Sequence, residues 1–325
     1  MTQKVSSPAQ ARPAASQTKA KRGGFFRELY EHKILYLMIL PTLLFFLLFN
    51  YLPMFGVYFA FVDFNYADGL FGSPFCGFDN FKTLFQSGTL VMLLRNTILY
   101  NLAFILIGNI VQLFFAILIS RVTVTWYKKL IQTLSFMPYF ISYVIVAAFS
   151  YILFNSGSGT ITVMVRAMGF SDFSPYATPE IWPVIIVLVY LWKNVGYGMV
   201  VYLAAITSID DGYYEAAEID GATIMQQIRY ITIPLLVPTF IILLLLALGG
   251  IVRGQFELFY QLTGNQGLLY EITDIMDTYV FRMLQGTFDI GRGTAIGLFQ
   301  SLFGLVTVCT VNFCVNRYNP DYALF

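Results

Sequence analysis

A chain of 325 residues of which 58% are hydrophobic and only 11% are charged does not have the composition of a water-soluble globular protein. Its formal net charge of +1 identifies no partner by itself, and we expect no nucleic acid among its partners. The chain has one histidine, His32, and three cysteines without metal-ligand spacing, Cys76, Cys309 and Cys314. The composition therefore indicates a membrane protein and argues against a catalytic or metal site built on histidine or cysteine.

The first 33 residues are polar and end in a basic patch immediately before a long apolar run. The patch comprises Lys19, Lys21, Arg22, Arg27 and Lys33. The apolar run is too long for the core of a signal peptide, and no small-residue cleavage site follows it. We therefore predict two parts, a cytoplasmic basic tail at residues 1–33 and a transmembrane domain at residues 34–325.

Six apolar segments are each long enough to cross a bilayer as a helix, which takes about 20 residues. They cover residues 34–62, 91–120, 130–154, 182–207, 235–258 and 293–316. Twelve Lys and Arg residues fall on the side that holds both termini, and five fall in the loops on the other side. Because cytoplasmic segments are enriched in Lys and Arg, we predict an all-α integral membrane protein with six transmembrane helices and both termini in the cytoplasm.

The loop between the fourth and fifth apolar segments, residues 209–234, is acidic and lies on the predicted cytoplasmic side. Its charged residues are Asp210, Asp211, Glu215, Glu218, Asp220 and a single cation, Arg229. Glu215, Ala216 and Ala217 are good helix formers. Gly221 suits the end of that helix, and Pro234 suits the first turn of the next one. The pattern predicts a short helix that lies on the membrane surface and is presented to a soluble partner.

This loop resembles the Glu-Ala-Ala motif of the inner-membrane permease subunits of binding-protein-dependent ABC importers. The residues that match the motif at its spacing are Glu215, Ala216, Ala217, Gly221, Ile231 and Pro234. Ile233 stands where the family usually has Leu, which is a conservative difference. The position of the motif between two membrane-spanning segments strengthens the resemblance.

Other segments resemble permeases for complex sugars, and the likeness covers nearly the whole chain after residue 33. These segments are residues 34–41, 51–54, 77–81, 95–97, 129–143, 202–205 and 277–282. They point to the subfamily that imports oligosaccharides or polysaccharide fragments, of which an alginate importer is a member. The resemblance implies a type I ABC importer permease fold in the bacterial inner membrane, with a cytoplasmic coupling helix between helices 4 and 5.

The resemblance also implies partners and roles. We expect a second homologous permease, two copies of an ATPase subunit and an extracytoplasmic solute-binding protein. ATP and Mg²⁺ would be handled by the ATPase subunits, because this chain has no Walker lysine motif and is not itself expected to be an enzyme. Glu215 would be the charged contact to the ATPase, and Ala216 and Ala217 would permit close approach. Gly221 would shape the turn, and Pro234 would mark the start of the fifth helix.

Polar and aromatic side chains within the spans are candidates for a saccharide pathway, since polar groups in a membrane are costly and often functional. The candidates are Lys193, Asn194, Trp192, Tyr197, Arg253 and Gln255. The first four lie near the middle of the fourth segment, and the last two lie toward the outer end of the fifth. A pair of cations would suit an acidic saccharide such as a uronate. Two other interpretations remain open, namely that Arg253 extends to the outer membrane interface and that Lys193 pairs with a carboxylate of a partner subunit.

Two other classes of membrane protein fit the sequence less well. A membrane-embedded enzyme needs paired carboxylates, a metal constellation or a nucleophile with its base, and the acidic residues here cluster in loops without a histidine beside them. A secondary transporter driven by an ion gradient typically has more spans, discontinuous helices and an intramembrane acidic residue, for which Glu257 is the only strong candidate. Dependence on ATP and on soluble partners separates the three classes.

Overall fold

The computed structural model describes Tyr30, residues 32–264 and residues 266–318. The predicted cytoplasmic tail, residues 1–33, lies outside the described residues except at three of its last positions. Regular structure in the described part of the chain is helical, apart from one antiparallel bridge between Val62 and Phe75. The predicted all-α fold is therefore confirmed.

Five helices among the described residues are long and apolar enough to cross a membrane. They are Lys33–Phe61, Thr89–Ser120, Pro179–Thr207, Ile224–Gly249 and Ile290–Arg317. Two further helices, Thr125–Phe140 and Tyr143–Phe154, pass the same test together and are bent by 94° relative to each other. Among the described residues there are five such helices, or six spans when this bent pair is counted as the third, and we number them first to sixth on that basis.

Shorter helices occupy the connections between the spans. The connections on the outer side, opposite the loop between the fourth and fifth spans, contain Gly69–Gly72, Asp79–Gln86, Thr160–Ala167, Phe256–Thr263, Tyr270–Thr273 and Met276–Arg282. The loop between the fourth and fifth spans contains Gly212–Ile219, which we term the loop helix. The chain divides into two compact units, Met1–Gly56 and Val57–Phe325, and the loop helix and the outer connections belong to the second unit.

The third span differs from the single helix predicted at residues 130–154. A helix over Thr125–Phe136 continues as one 3₁₀ turn, Met137–Phe140, and a new helix begins at Tyr143. Pro138 lies in the 3₁₀ turn, where it lacks the N–H that a continuing α-helix would need. Ser142 then caps the second helix, because its hydroxyl accepts a hydrogen bond from the Ile145 amide. The break therefore follows from local sequence chemistry that a count of apolar residues does not detect.

The fifth span is displaced from its predicted position at residues 235–258. It begins at Ile224, after a capping box between Thr223 and Gln226, and ends at Gly249. Pro234 was predicted to mark the start of the helix, but it lies ten residues beyond Ile224. A π-helical turn directly precedes the α-helical segment in which Pro234 is the second residue. That turn interrupts the regular hydrogen-bond register, and a proline is tolerated in the first turn of the new α-helical segment.

The second and fourth spans pack closely against each other. Met199 and Tyr202 of the fourth span are buried in one cluster with Ala116 and Ile119 of the second. The Tyr202 hydroxyl donates a hydrogen bond of 2.9 Å to Asn109 Oδ1 across the same interface. Small side chains and interhelical hydrogen bonds are what hold helices together in a bilayer, where apolar burial alone gives little preference for protein over lipid.

The outer connection between the fifth and sixth spans is attached to the second span by asparagine side chains. Asn96 Nδ2 donates to the carbonyls of Glu271 and Asp274, both at 3.0 Å. Asn101 Nδ2 donates to the carbonyl of Ile251 at 2.8 Å. These bonds satisfy polar groups that would otherwise be costly in an apolar helix. They also fix the segment that begins at Ile251, which lines the polar cavity described below.

Candidate coupling surface and polar cavity

The loop helix presents an acidic face to solvent. Glu215 and Ala216 are exposed, Tyr213 is 59% exposed, and Ala217 is half-buried. Among the described residues Glu215 has no ion-pair partner, although it lies in the first turn of the helix, where a carboxylate is favourable. The structure therefore places a short helix in the predicted loop, and leaves the carboxylate of Glu215 available to another molecule.

The end of the loop helix is a Schellman motif centred on Gly221. The amide of Ala222 donates to the carbonyl of Ala217 at 2.8 Å, and the amide of Gly221 donates to the carbonyl of Glu218 at 3.0 Å. Gly221 has a φ of +75°, which lies in the left-handed region that glycine adopts without a steric penalty. A Cβ atom added there would meet nothing within 4 Å. Backbone conformation, and not lack of space, is therefore the reason for glycine at this position.

Lys193 does not face a cavity for a ligand. The residue is only 6% exposed, and its Nζ donates to the carbonyls of Tyr139 at 2.7 Å and Ile141 at 2.5 Å, with Pro138 at 3.4 Å. An ammonium group has three donors, so these carbonyls occupy all of them. These carbonyls lie at the break in the third span, where carbonyls lose their α-helical partners, and that of Pro138 also accepts a hydrogen bond from the Ile141 amide at 3.2 Å. The structure therefore gives the ammonium of Lys193 main-chain partners, which favours a structural role over the predicted contact with a saccharide.

The other candidates in the fourth span are Asn194, whose side chain bonds within its own helix, and the exposed rings of Trp192 and Tyr197. Asn194 Nδ2 donates to the carbonyl of Tyr190 at 2.9 Å, within its own helix. Trp192 and Tyr197 are both half-exposed, and the Tyr197 ring stacks on that of Tyr139 with centroids 4.9 Å apart. Trp192 lines a cavity of about 550 Å³ whose other lining residues are almost all apolar. These rings offer flat apolar faces. The donors of Lys193 and Asn194 are engaged by main-chain carbonyls and are not available beside the rings.

Arg253 and Gln255 lie beyond the fifth span and not within it. The helix ends at Gly249, and Gly250 follows as its cap, because consecutive glycines are poor helix formers. Arg253 is exposed and lines a cavity of about 440 Å³. Gln255 does not line this cavity and instead stands immediately before the helix that starts at Phe256. The two residues predicted as one group are therefore separated by the structure.

The cavity beside Arg253 is lined by polar groups from three segments. Asp277 Oδ2 accepts hydrogen bonds from the Gly254 amide at 2.8 Å and from Gln300 Nε2 at 3.1 Å. Gln300 Nε2 also donates to the carbonyl of Val252 at 2.8 Å. A Cβ atom on Gly254 would lie 2.4 Å from Asp277 Oδ2, so only glycine permits this approach. Asp277 and Gln300 were not among the predicted pathway residues, although a glutamine inside an apolar span is a signal that could have found one of them.

A neighbouring cavity of about 280 Å³ shares Asp277 and Gln300 with the first and adds aromatic side chains. Phe256 and Phe281 line it, and their ring centroids lie 4.8 Å apart. The outer ends of the fifth and sixth spans therefore combine a guanidinium, a carboxylate, an amide and aromatic rings. A few convergent polar groups beside apolar faces are typical of a site for a small polar ligand.

Comparison with known proteins identifies the family. Residues 108–319 match the family of binding-protein-dependent transport system inner membrane components. The chain belongs to this family. It is a multi-pass inner-membrane permease component of an ABC importer, with the all-helical fold of such permeases, and the predictions of family and fold class are confirmed. The transmembrane component of such a system is a subunit distinct from the ATPase.

Two relatives from Bacillus subtilis (strain 168) cover almost the whole permease. Protein LplB is 33% identical over 312 residues, which is 95% of this chain and 97% of the relative. The polygalacturonan/rhamnogalacturonan transport system permease protein YteP is 34% identical over 305 residues, which is 93% of this chain and 94% of the relative. The similarity therefore extends from the first span to the last.

Solved structures with the same fold come from a bacterial ABC transporter involved in the import of the acidic polysaccharide alginate. One matching chain aligns with a TM-score of 0.80 and 34% identity, over 90% of this permease and 99% of that chain. A second structure, of a bacterial alginate ABC transporter in complex with an alginate pentasaccharide-bound periplasmic protein, aligns with a TM-score of 0.79. The arrangement of spans described above is thus that of a permease from a complete importer.

Proposed function

We propose that this permease subunit takes part in the ATP-driven import of oligosaccharides or polysaccharide fragments, with an acidic uronate-type saccharide as its substrate class. The observation that carries the proposal is the exposed guanidinium of Arg253 in a polar cavity with Asp277 and Gln300. Arginine suits a carboxylate because its planar fork can donate two parallel hydrogen bonds. The relatives named for polygalacturonan and alginate support the same class.

In this proposal the cavity residues have separate roles. Arg253 binds a carboxylate of the saccharide, and the amide of Gln300 and the carboxylate of Asp277 orient its hydroxyl groups. The rings of Phe256 and Phe281 provide apolar faces beside these groups. Trp192 and Tyr197 remain candidates for stacking on a sugar, because half of each side chain is exposed. Lys193 holds the fourth span and the broken third span together, Asn194 bonds within the fourth span, and neither contacts the saccharide.

The loop helix is proposed as the coupling helix. Glu215 is its charged contact to an ATPase subunit, Ala216 and Ala217 permit close approach, and Gly221 ends the helix. The complete importer would contain a second homologous permease, two copies of the ATPase subunit and an extracytoplasmic solute-binding protein. Both termini and the loop helix would then lie in the cytoplasm, where ATP is available. The excess of Lys and Arg on that side of the membrane supports this orientation.

The first experiment is a gentle extraction of the tagged permease from its native membrane, followed by mass spectrometry of the proteins that accompany it. A stoichiometric ATPase with phosphate-loop motifs, together with a second permease of this family, is the expected result. Isolation of the chain alone, under conditions in which a known importer remains assembled, would contradict the proposed set of partner subunits.

The substrate class is tested on the solute-binding protein that accompanies the permease. It is titrated calorimetrically with oligogalacturonates, with oligoalginates and with a neutral malto-oligosaccharide of equal length. Tight binding of either acidic series is expected, with much weaker binding of the neutral one. A preference for the neutral saccharide would leave the importer assignment intact but would overturn the acidic substrate.

A further inference from the structure

A polar network connects the loop helix to the second and fifth spans. Tyr214 is the residue of the loop helix that reaches inward, and its hydroxyl lies 3.0 Å from Thr232 Oγ1. The guanidinium of Arg121 stands over the Tyr214 ring, with its carbon atom 5.0 Å from the ring centroid. Arg121 caps the end of the second span, and Thr232 belongs to the fifth. One side chain of the loop helix therefore contacts the ends of two different spans.

Arg121 also holds the fifth span at two points. Its Nη1 donates to Gln227 Oε1 at 2.9 Å, and its Nη2 donates to Thr232 Oγ1 at 3.3 Å. Gln227 is 3% exposed and Thr232 is fully buried, so neither side chain has water as an alternative partner. Breaking the bond to Gln227 would leave its buried Oε1 without this donor, which costs more than the bond itself contributes, whereas Thr232 Oγ1 would keep its contact with Tyr214. The network is therefore stiff at its contacts.

The two residues of the fifth span that Arg121 contacts, Gln227 and Thr232, lie at the two ends of its π-helical turn. Gln227 directly precedes the π-helical turn Ile228–Thr232, and Thr232 is its last residue. Turns of this kind are rare and occur frequently at functional sites, because the wider spacing weakens the regular hydrogen-bond register. The fifth span thus has a deformable turn directly beside the loop helix, and that turn is held by a residue from the second span.

We propose that Arg121 and Tyr214 are positioning residues that pass a displacement of the loop helix to the second and fifth spans, with the π-helical turn as the part that yields. This inference rests on the proposed role of the loop helix as the coupling helix. Glu215 and the exposed face would receive the movement of the ATPase, and Tyr214 on the inner face would transmit it. Without the network, the loop helix would move on its connecting loop, and the second and fifth spans would not move with it.

The test uses the whole complex of both permeases and the ATPase subunits, and it needs no knowledge of the sugar. Hydrogen–deuterium exchange is measured with and without an ATP analogue that cannot be hydrolysed, for residues 113–121, 212–222 and 227–232. The variants are Tyr214→Phe, which removes one hydroxyl, and Arg121→Lys, which keeps the charge but lacks the planar guanidinium fork whose two Nη atoms reach Gln227 and Thr232. Tyr230→Phe is the matched control, because its ring is exposed beside Arg229 in the same π-helical turn.

In the wild type and in the control, the analogue should change exchange in all three segments. In Tyr214→Phe and Arg121→Lys, the change should persist in residues 212–222 but fall by about fivefold in residues 113–121, as the loss of one buried hydrogen bond implies. Full transmission in both variants would overturn the inference while leaving the coupling helix intact. Absence of any change at residues 212–222 in the assembled wild type would instead overturn the proposed coupling function, and this inference with it.

Discussion

Two regions of the permease can be compared, the loop helix at its inner end and the polar cavity at its outer end. They differ in which charged side chain has no protein partner among the described residues. The loop helix is shaped by main-chain hydrogen bonds around Gly221, and the carboxylate of Glu215 remains unpaired among the described residues. In the outer cavity Asp277 and Gln300 are bound to the chain, and Arg253 is the exposed charge. The loop helix thus presents acidic side chains and the cavity presents a guanidinium, so the available charges of the two regions are of opposite sign.

Lys193 shows why this comparison is informative. Lys193 is a cation in the interior of a span, which is also the expected position of a residue that binds an acidic sugar. Its donors, however, are occupied by the carbonyls of the broken third span. A charge within a span therefore indicates a role but not which role. The hydrogen-bonding partners decide between the structural and the functional interpretation.

The largest expected effect is at the inner end. Glu215→Lys inverts the charge at the proposed docking surface, so we expect uptake to be abolished while the permease remains in the membrane at its normal level. Uptake into cells and an immunoblot of the membrane fraction measure the two quantities. Asp172→Lys, on an exposed outer loop, is the charge-matched control and should transport normally. Normal uptake by Glu215→Lys would show that the inner charge has no such role.

Lys193→Met should act on stability and not on substrate affinity. It removes the side-chain donor from the partly buried carbonyls of Tyr139 and Ile141, which should lower the free energy of unfolding by about 1–3 kcal/mol. Thermal unfolding of the purified complex measures the loss, and Lys82→Met on the exposed outer helix is the control. If the midpoint of thermal unfolding were unchanged and the saccharide concentration for half-maximal uptake rose, Lys193 would have to contact the saccharide after all.

Gly221→Val should weaken coupling by straining the end of the loop helix. A β-branched residue in the left-handed region costs about 1–2 kcal/mol, whereas asparagine tolerates that region. We therefore expect uptake to fall several-fold in Gly221→Val and to remain close to normal in Gly221→Asn. Equal uptake by the two variants would mean that the Schellman turn is not needed for the shape of the docking surface.

The smallest expected effect is at the outer end. Arg253→Gln removes the exposed charge of the cavity but keeps a hydrogen-bonding group, so the concentration of an acidic saccharide for half-maximal uptake should rise by about fivefold. The maximal rate should change little, because the inner end is intact. If the maximal rate fell and the half-maximal concentration stayed the same, the division of roles between the two ends would be wrong.

The parts of this fold that depend on neighbouring residues in sequence were accessible to prediction. Long apolar runs located the spans, and the spacing from Glu215 to Pro234 located the loop helix. The break in the third span was missed because a count of apolar residues does not detect the local signals of Pro138 and Ser142, and the stabilising contacts of Lys193 come from another span. The start of the fifth span was missed because its first turns carry polar residues such as Gln227, which are buried against Arg121.

The outer cavity could not be assembled from sequence for a related reason. Arg253, Asp277 and Gln300 come from the segment that follows the fifth span, from an outer helix and from the sixth span, and only the fold brings them together. Hydropathy also extended the fifth span past Gly249, which placed Arg253 and Gln255 on one helix. Local patterns identify elements, whereas a ligand site built from several elements requires their packing.

The central claim is that the loop helix docks on an ATPase subunit, and photo-crosslinking in native membranes tests it most directly. A photoreactive phenylalanine analogue replaces Tyr213, which is exposed on the loop helix, or Phe313, which is exposed on the sixth span. The account predicts a crosslink to the ATPase subunit from position 213 and none from position 313. An assembled complex that gives no crosslink from position 213 would contradict it.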